Sequence, residues 1–188
     1  MALADLFAQN VIVRWLTGNR RRYDLAVSMV GVKLGERVLQ LGGDDPGLLA
    51  ALGAKVGFTG RACAVDAGAE AAARVRVAAE RAGVLVETFT ARYDHLPFDP
   101  ASFDVVVIRP GGSLGSAETL GHAAQEATRV LRPGGRCLVV AGGGRGKLAA
   151  SETERFIQIA GAAGLRGARV LAHRDGWLFV EAMKAATA

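Results

Sequence analysis

From Val38 onward, apolar runs of strand length alternate with Ala- and Glu-rich segments of helical length. That alternation is the layout of repeated strand–helix–strand units and predicts a mostly parallel sheet in an α/β fold. Strands are expected over Val38–Leu41, Ala62–Val65, Val84–Phe89, Phe103–Ile108 and Arg136–Ala141. Helices are expected between them over Pro46–Val56, Ala69–Ala82 and Ser116–Leu131. The third connection differs, because Ala91–Ser102 carries Pro97 and Pro100 among turn formers and reads as a loop.

The pattern changes toward both ends. Ser151-Glu-Thr-Glu154 is a capping box that predicts a helix through about Ala163, with Gly164 as its stop. Arg169–Ala172 and Trp177–Glu181 flank Arg174-Asp175-Gly176, a tight-turn signal, so the five parallel strands should be followed by an antiparallel hairpin. Near the start, Leu3, Phe7, Val11, Trp15 and Leu16 recur at helical spacing, Asn19 to Arg22 interrupts, and Tyr23–Val32 resumes. Two helices are expected there, and three roles stay open for them. They can cover one flank of the sheet, form a lid over a substrate site, or lie on a membrane surface with Trp15 beside Arg14 and Arg20 to Arg22. The division is thus an N-terminal helical cover or lid over 1–35 and a sheet-containing unit over 36–188, together one structural domain.

Composition bounds this reading without redirecting it. A chain of 188 residues with 51% hydrophobic content has enough apolar mass for one well-covered core. No run reaches the roughly 18 apolar residues of a membrane span, and Asp5, Asn10 and Arg14 break any signal-peptide layout, so a cytoplasmic location is expected. Cys63 and Cys137 lie in apolar runs without Cys or His at metal spacing, which predicts buried free thiols and no metal site. The formal charge of +5 comes mainly from arginine. It permits an anionic partner, but few aromatics alternate with the charges and no RNA-binding signature is present, so nucleic acid is not an expected partner. A homodimer is left open.

The stretch Arg37-Val-Leu-Gln-Leu-Gly-Gly-Asp-Asp-Pro-Gly47 carries the first chemical signal. A buried strand opening into a Gly-containing turn and then a helix sets unpaired helix N–H groups beside a ligand, the usual construction of an adenosine-type cofactor pocket. Read in order, Glu36-Arg-Val-Leu-Gln-Leu-Gly42, Gly60-Arg-Ala-Cys-Ala-Val-Asp66, Leu96-Pro-Phe-Asp-Pro-Ala-Ser-Phe-Asp-Val-Val-Val107 and Arg129-Val-Leu-Arg-Pro-Gly-Gly-Arg-Cys-Leu-Val139 resemble the class I S-adenosylmethionine-dependent methyltransferases, in their small bacterial, ubiquinone-biosynthesis-like branch. The resemblance runs from about residue 36 to the end. It implies a Rossmann-like three-layer sandwich whose seven-stranded, mostly parallel sheet ends in an antiparallel hairpin.

It also implies a cofactor site. Gly42, with Gly43 beside it, matches the first glycine of the family's cofactor loop, and Asp66, followed by Ala67, matches the acid that holds the ribose hydroxyls. A carboxylate at a strand's C-terminal end accepts two hydrogen bonds from vicinal hydroxyls, although it can also cap the next helix. Three departures stand out. Gln40 replaces the family's Asp or Glu, keeping hydrogen-bonding capacity and losing the charge that favours a cationic cofactor. Asp44 and Pro46 fall on the second and third glycine positions, where Asp44 or Asp45 can restore the missing charge toward the methionine ammonium. Arg92 stands where the family has its adenine-contacting Asp, which leaves Asp94 and Tyr93 as substitute contacts or Arg92 and Asp94 as an exposed ion pair.

Methyl transfer from a sulfonium depends mostly on positioning, with a base needed only for an acceptor that carries a proton. Acceptor and cofactor are expected at the C-terminal edge of the parallel strands, where Asp44, Asp45, Tyr93, His95 and the loop Arg109-Pro-Gly-Gly-Ser113 should converge. No catalytic residue is assigned: His95 is a candidate base, and Arg109 suits either an anionic ligand group or a neighbouring carboxylate. The implied activity is methyl transfer from S-adenosylmethionine to a small-molecule acceptor, with S-adenosylhomocysteine as product. The alternative is a non-catalytic domain that binds S-adenosylmethionine or another nucleoside as a regulatory or partner-binding protein.

Overall fold

The computed structural model describes residues 22–43, 45–142 and 150–186. The helix expected over Leu3 to Leu16 and the candidate ligand Asp44 lie outside them. Helix α1, over 22–30, leads into β1 (Arg37–Leu41), α2 (Pro46–Val56), β2 (Arg61–Asp66), α3 (Ala69–Ala82), β3 (Glu87–Thr90) and β4 (Phe103–Ile108). A 3-10 turn (Gly112–Leu114), α4 (Ala117–Val130), β5 (Leu131–Gly142), α5 (Ala150–Ala162), β6 (Arg166–Arg174) and β7 (Trp177–Met183) complete the order.

The seven strands form one sheet in the order β3-β2-β1-β4-β5-β7-β6, with β7 antiparallel to both neighbours. Strand alternation divides the core into two layers. Val38, Ala62, Ala64, Val105, Val107, Leu138 and Val140 face α1, α2 and α3. Leu39, Leu41, Cys63, Val65, Val106, Ile108 and Val139 face α4 and α5. The result is the three-layer sandwich with a terminal hairpin. Its turn has positive φ at both Asp175 (53°) and Gly176 (75°), the type I′ geometry whose twist matches the flanking strands.

Helices α2 and α3 follow their sequence limits, and Ser116 caps α4 by accepting the Thr119 N–H at 3.0 Å. Three expectations need correction. The third strand starts at Glu87 and not Val84, because Val84 is spent crossing α2: a Cβ at Gly53 would stand only 2.6 Å from its Cγ1. Strand β5 starts at Leu131 and not Arg136, since the Arg-Pro-Gly-Gly segment bulges out of register against β4 and is held from the far end of the chain. There Gly134 N–H donates to Lys184 O at 3.1 Å and Lys184 N–H to Gly135 O at 2.9 Å. Helix α5 already includes Ala150, ahead of the Ser151 capping box, while Gly164 ends it as expected with φ +83°.

Helix α1 runs along the α2 side, burying Tyr23, Ala26 and Val30. Its C-terminal carbonyls are fastened to β5, for Arg136 donates from Nη1 to Val30 O at 2.9 Å and from Nη2 to Gly31 O at 3.1 Å. The reversal of strand order falls between β1 and β4, so the loops after β1, β2 and β4 open a crevice at the C-terminal edge of the sheet.

Candidate active site

The crevice is organised by Asp66, the last residue of β2 and only 3% exposed. Its Oδ2 accepts the Gly43 N–H at 2.6 Å and its Oδ1 the Gly68 N–H at 2.8 Å, so one carboxylate ties the β1 turn to the start of α3. Ser113 Oγ donates toward both oxygens at 3.3 Å, and the Tyr93 hydroxyl lies 2.8 Å from that Oγ and also meets the Ala67 backbone. Asp66, Gly43, Ala67, Tyr93 and Ser113 are therefore brought together. Burial, reinforced by the negative Asp66, pushes the Tyr93 hydroxyl up to about 12 against the opposing Ser113 hydrogen bond, so it keeps its proton near neutrality.

Gly42 closes β1. It donates to Val65 O at 3.0 Å, and Arg109 donates to Leu41 O at 2.8 Å, which fuses the ends of β1, β2 and β4. With φ +92° and a hypothetical Cβ 2.6 Å from Arg109 O, position 42 admits only glycine without strain. Gln40 points the other way, into the α1–α2 layer, and is fully buried. Its Nε2 donates to Gly42 O at 2.9 Å, whereas its Oε1 has no hydrogen-bond partner among the described residues. A buried acceptor without a donor is costly to the fold, which makes Gln40 Oε1 a candidate acceptor for a ligand N–H.

A second cluster adjoins the turn. Asp45 occupies the N-cap of α2 but makes no capping bond. Its carboxylate instead accepts the Tyr23 hydroxyl and lies 3.6 Å from the buried Arg109 guanidinium. Arg109 also donates to Val140 O and, at 3.1 Å, to Gly142 O, with its guanidinium 5.1 Å above the Trp177 ring. Burial and the Asp45 charge hold the Tyr23 phenol in its protonated form. Gly47 makes the contact sterically feasible, since a Cβ there would sit 2.7 Å from the Tyr23 ring.

The expected convergence thus splits in two. Asp66, Gly42, Gly43 and Tyr93 meet at one cluster, and Asp45 meets Arg109 at its neighbour. His95 joins neither: it is exposed and lines a cavity of about 670 Å3 along the β3 edge with Arg61, Phe89, Ser102 and Arg129. Asp94 is bound to Arg92 at the surface, with Arg92 Nε 2.9 Å from its Oδ1, and that bond draws its carboxyl down to about 2. Tyr23 and Trp177 have no site role in the sequence reading, whereas Ser113 is the last residue of the loop expected at this edge. Ser113 has a local signal, as the first polar side chain after the Gly111-Gly112 turn, and the other two have none. No His, Cys, Asp and Glu grouping suited to a metal occurs among the described residues.

The chain is 32% identical over 117 residues to the ubiquinone/menaquinone biosynthesis C-methyltransferase of Ralstonia pickettii, covering 61% of this chain and 46% of that protein. It is 33% identical over 121 residues to the chloroplastic 2-phytyl-1,4-beta-naphthoquinone methyltransferase of Arabidopsis thaliana, covering 62% and 46%. The chain spans about half the length of these curated relatives. Among solved structures, a putative S-adenosyl-L-methionine-dependent methyltransferase of Methanococcus maripaludis superposes with a TM-score of 0.72 over 96% of this chain and 93% of its own, at 17% identity, a likeness of fold. Residues 39–139, more than half of the chain, match the family model described as the methyltransferase domain. The strand order, the glycine turn and that match agree, and the chain belongs to the methyltransferase-domain family of class I S-adenosylmethionine-dependent fold.

Proposed function

We propose that this protein transfers a methyl group from S-adenosylmethionine to a small-molecule acceptor. The observation that carries the reading is the Asp66 carboxylate, buried at the end of β2 and 2.6 Å from the Gly43 amide of the turn. A carboxylate offers about four acceptor positions. The Gly43 and Gly68 amides take two, and the rotatable Ser113 hydroxyl holds the remainder only loosely at 3.3 Å, so two vicinal ribose hydroxyls can be accepted there. Gln40 Oε1 supplies an acceptor for an ammonium N–H at the amino-acid end. The residues present therefore fit the cofactor.

When bound, the cofactor supplies a methyl group on a positively charged sulfur. The chain's part is to orient it: Asp66 fixes the ribose, Gln40 the ammonium, and the Asp45–Arg109 pair the turn between them. Tyr93 keeps its proton and acts as a donor. The relatives named above are a C-methyltransferase of ubiquinone/menaquinone biosynthesis and a 2-phytyl-1,4-beta-naphthoquinone methyltransferase, which supports a ring of quinone or quinol type as the acceptor here.

Calorimetric titration with S-adenosylmethionine and S-adenosylhomocysteine, followed by a tritiated-methyl screen over quinols, phenols and amines, tests this. Binding of both nucleosides, at least about tenfold weaker in Asp66→Ala, together with turnover on a ring acceptor, is expected. Failure to bind either nucleoside refutes the cofactor assignment, and binding without turnover on any acceptor refutes catalysis.

A further inference from the structure

The three most exposed large apolar side chains among the described residues share one edge of the sheet. Leu34 is 76% exposed, Phe58 90% and Leu85 78%. They stand on the loops entering β1, β2 and β3, which the order β3-β2-β1 sets side by side at the N-terminal edge. The loops touch through glycines of α2 and its C-cap. A Cβ at Gly57 would be 2.7 Å from Leu34 Cδ1, and one at Gly53 2.6 Å from Val84, the neighbour of Leu85. Exposed apolar groups that cluster in this way mark an interaction surface.

Among the described residues, the charges beside these tips that lie outside ion pairs have one sign. Lys33, Lys55 and Arg81 are exposed beside the three tips, and none takes part in an ion pair among the described residues. The carboxylates of this edge are already engaged. Glu87 binds Arg61 at 2.7 and 2.8 Å, Asp104 binds Arg37 and Arg132, and Glu36 lies 3.9 Å from Arg136. The edge thus presents apolar knobs within a cationic rim. A folded protein partner needs a matching concavity for each knob, whereas a bilayer admits separate tips and its acidic headgroups neutralise the rim.

We propose that this edge docks peripherally on a bilayer containing anionic phospholipid, with Leu34, Phe58 and Leu85 entering the headgroup layer and Lys33, Lys55 and Arg81 facing its phosphates. Asp66 and the Gly42–Gly43 turn lie at the opposite ends of the same strands, so a docked molecule keeps its crevice toward water. The inference is independent of the cofactor reading.

Co-sedimentation of the full chain with phosphatidylglycerol vesicles and with phosphatidylcholine vesicles tests it. Pelleting with phosphatidylglycerol alone is expected. Phe58→Ser and Leu34→Ser leave the charge unchanged and should each lower partitioning about tenfold. Lys55→Gln should lower it about fivefold, while Arg74→Gln, an exposed cation on the middle of α3, should leave it within about twofold. No pelleting, or pelleting unchanged by Phe58→Ser, overturns the proposal, the latter because diffuse charge then explains binding. A dimer in sedimentation velocity that Phe58→Ser dissolves also overturns it, since the patch then meets a second copy.

Discussion

The Tyr23 hydroxyl donates to the Asp45 carboxylate and so joins α1 to the turn at which the cofactor is expected. Asp45 is held from its other side by Arg109, and the two contacts differ in kind. Removing the phenol oxygen in Tyr23→Phe deletes one donor from a carboxylate that remains paired, for a loss of about 1–2 kcal/mol. Asp45→Asn deprives a buried guanidinium of its counter-charge and should cost about 3 kcal/mol or more. Urea denaturation should rank them in that order. Equal losses would mean that Arg109 relies on its carbonyl and ring partners alone.

Glycines at 42 and 121 give opposite outcomes on replacement by alanine. Position 42 combines φ +92° with a Cβ 2.6 Å from Arg109 O, so Gly42→Ala should destabilise by about 2–4 kcal/mol. Position 121 lies inside α4 with nothing within 4 Å of an added methyl, so Gly121→Ala should stabilise by about 0.5–1 kcal/mol. Thermal denaturation of the pair checks both signs in one experiment.

Gln40→Glu restores the family's acid in a fully buried position. Burial disfavours the charged form, so the carboxyl's folded-state value rises above its ordinary value of about 4.3. A raised acid is stabilising only while both states hold the proton, so stability of the free variant should fall as pH rises from about 5 toward 8. S-adenosylmethionine, whose ammonium and sulfonium both favour the anion, should bind about tenfold more tightly at pH 8 than to the natural sequence. Calorimetry at that pH decides it.

Alkaline pH should weaken the fold through groups buried in their protonated form. Burial pushes Cys63 and Cys137 from 9.0 up to about 12, and Tyr93 from 10.0 up to about 12. The unfolded chain releases these protons earlier than the folded one does, so stability is full below pH 9 and falls as pH climbs toward 12. Each group contributes a slope of about 1.4 kcal/mol per pH unit over its window. Urea midpoints across this range should decline steadily, with both thiols unreactive until unfolding. A flat profile contradicts the burial of the two thiols.

Local periodicity carried most of the fold. The limits of α2 and α3 were legible because each helix announces its own start and stop, Pro46 at one and Gly83 at the other. The third strand was misplaced because Val84 is apolar for the sake of α2, and an apolar residue does not say which neighbour it serves. The extension of β5 depends on Lys184, far along the chain. In the site, Asp66 and the Gly42–Gly43 turn were legible together, since adjacent parallel strands bring their C-terminal ends side by side. Tyr23 against Asp45, and Arg109 over Trp177, depend on how α1 and the hairpin dock. Tyr93 and His95 show the limit most directly: two residues apart in one loop, they serve different clefts.

Helix α1 is moored at both ends. Its C-terminal end is held by two guanidinium–carbonyl bonds from Arg136, and its N-terminal end is held at Asp45 by the Tyr23 phenol and, at 3.9 Å, by the Arg22 guanidinium. A rod pinned at both ends moves with what it is pinned to. The turn after β1 is therefore tied, through α1, to β5, two strands away in the sheet.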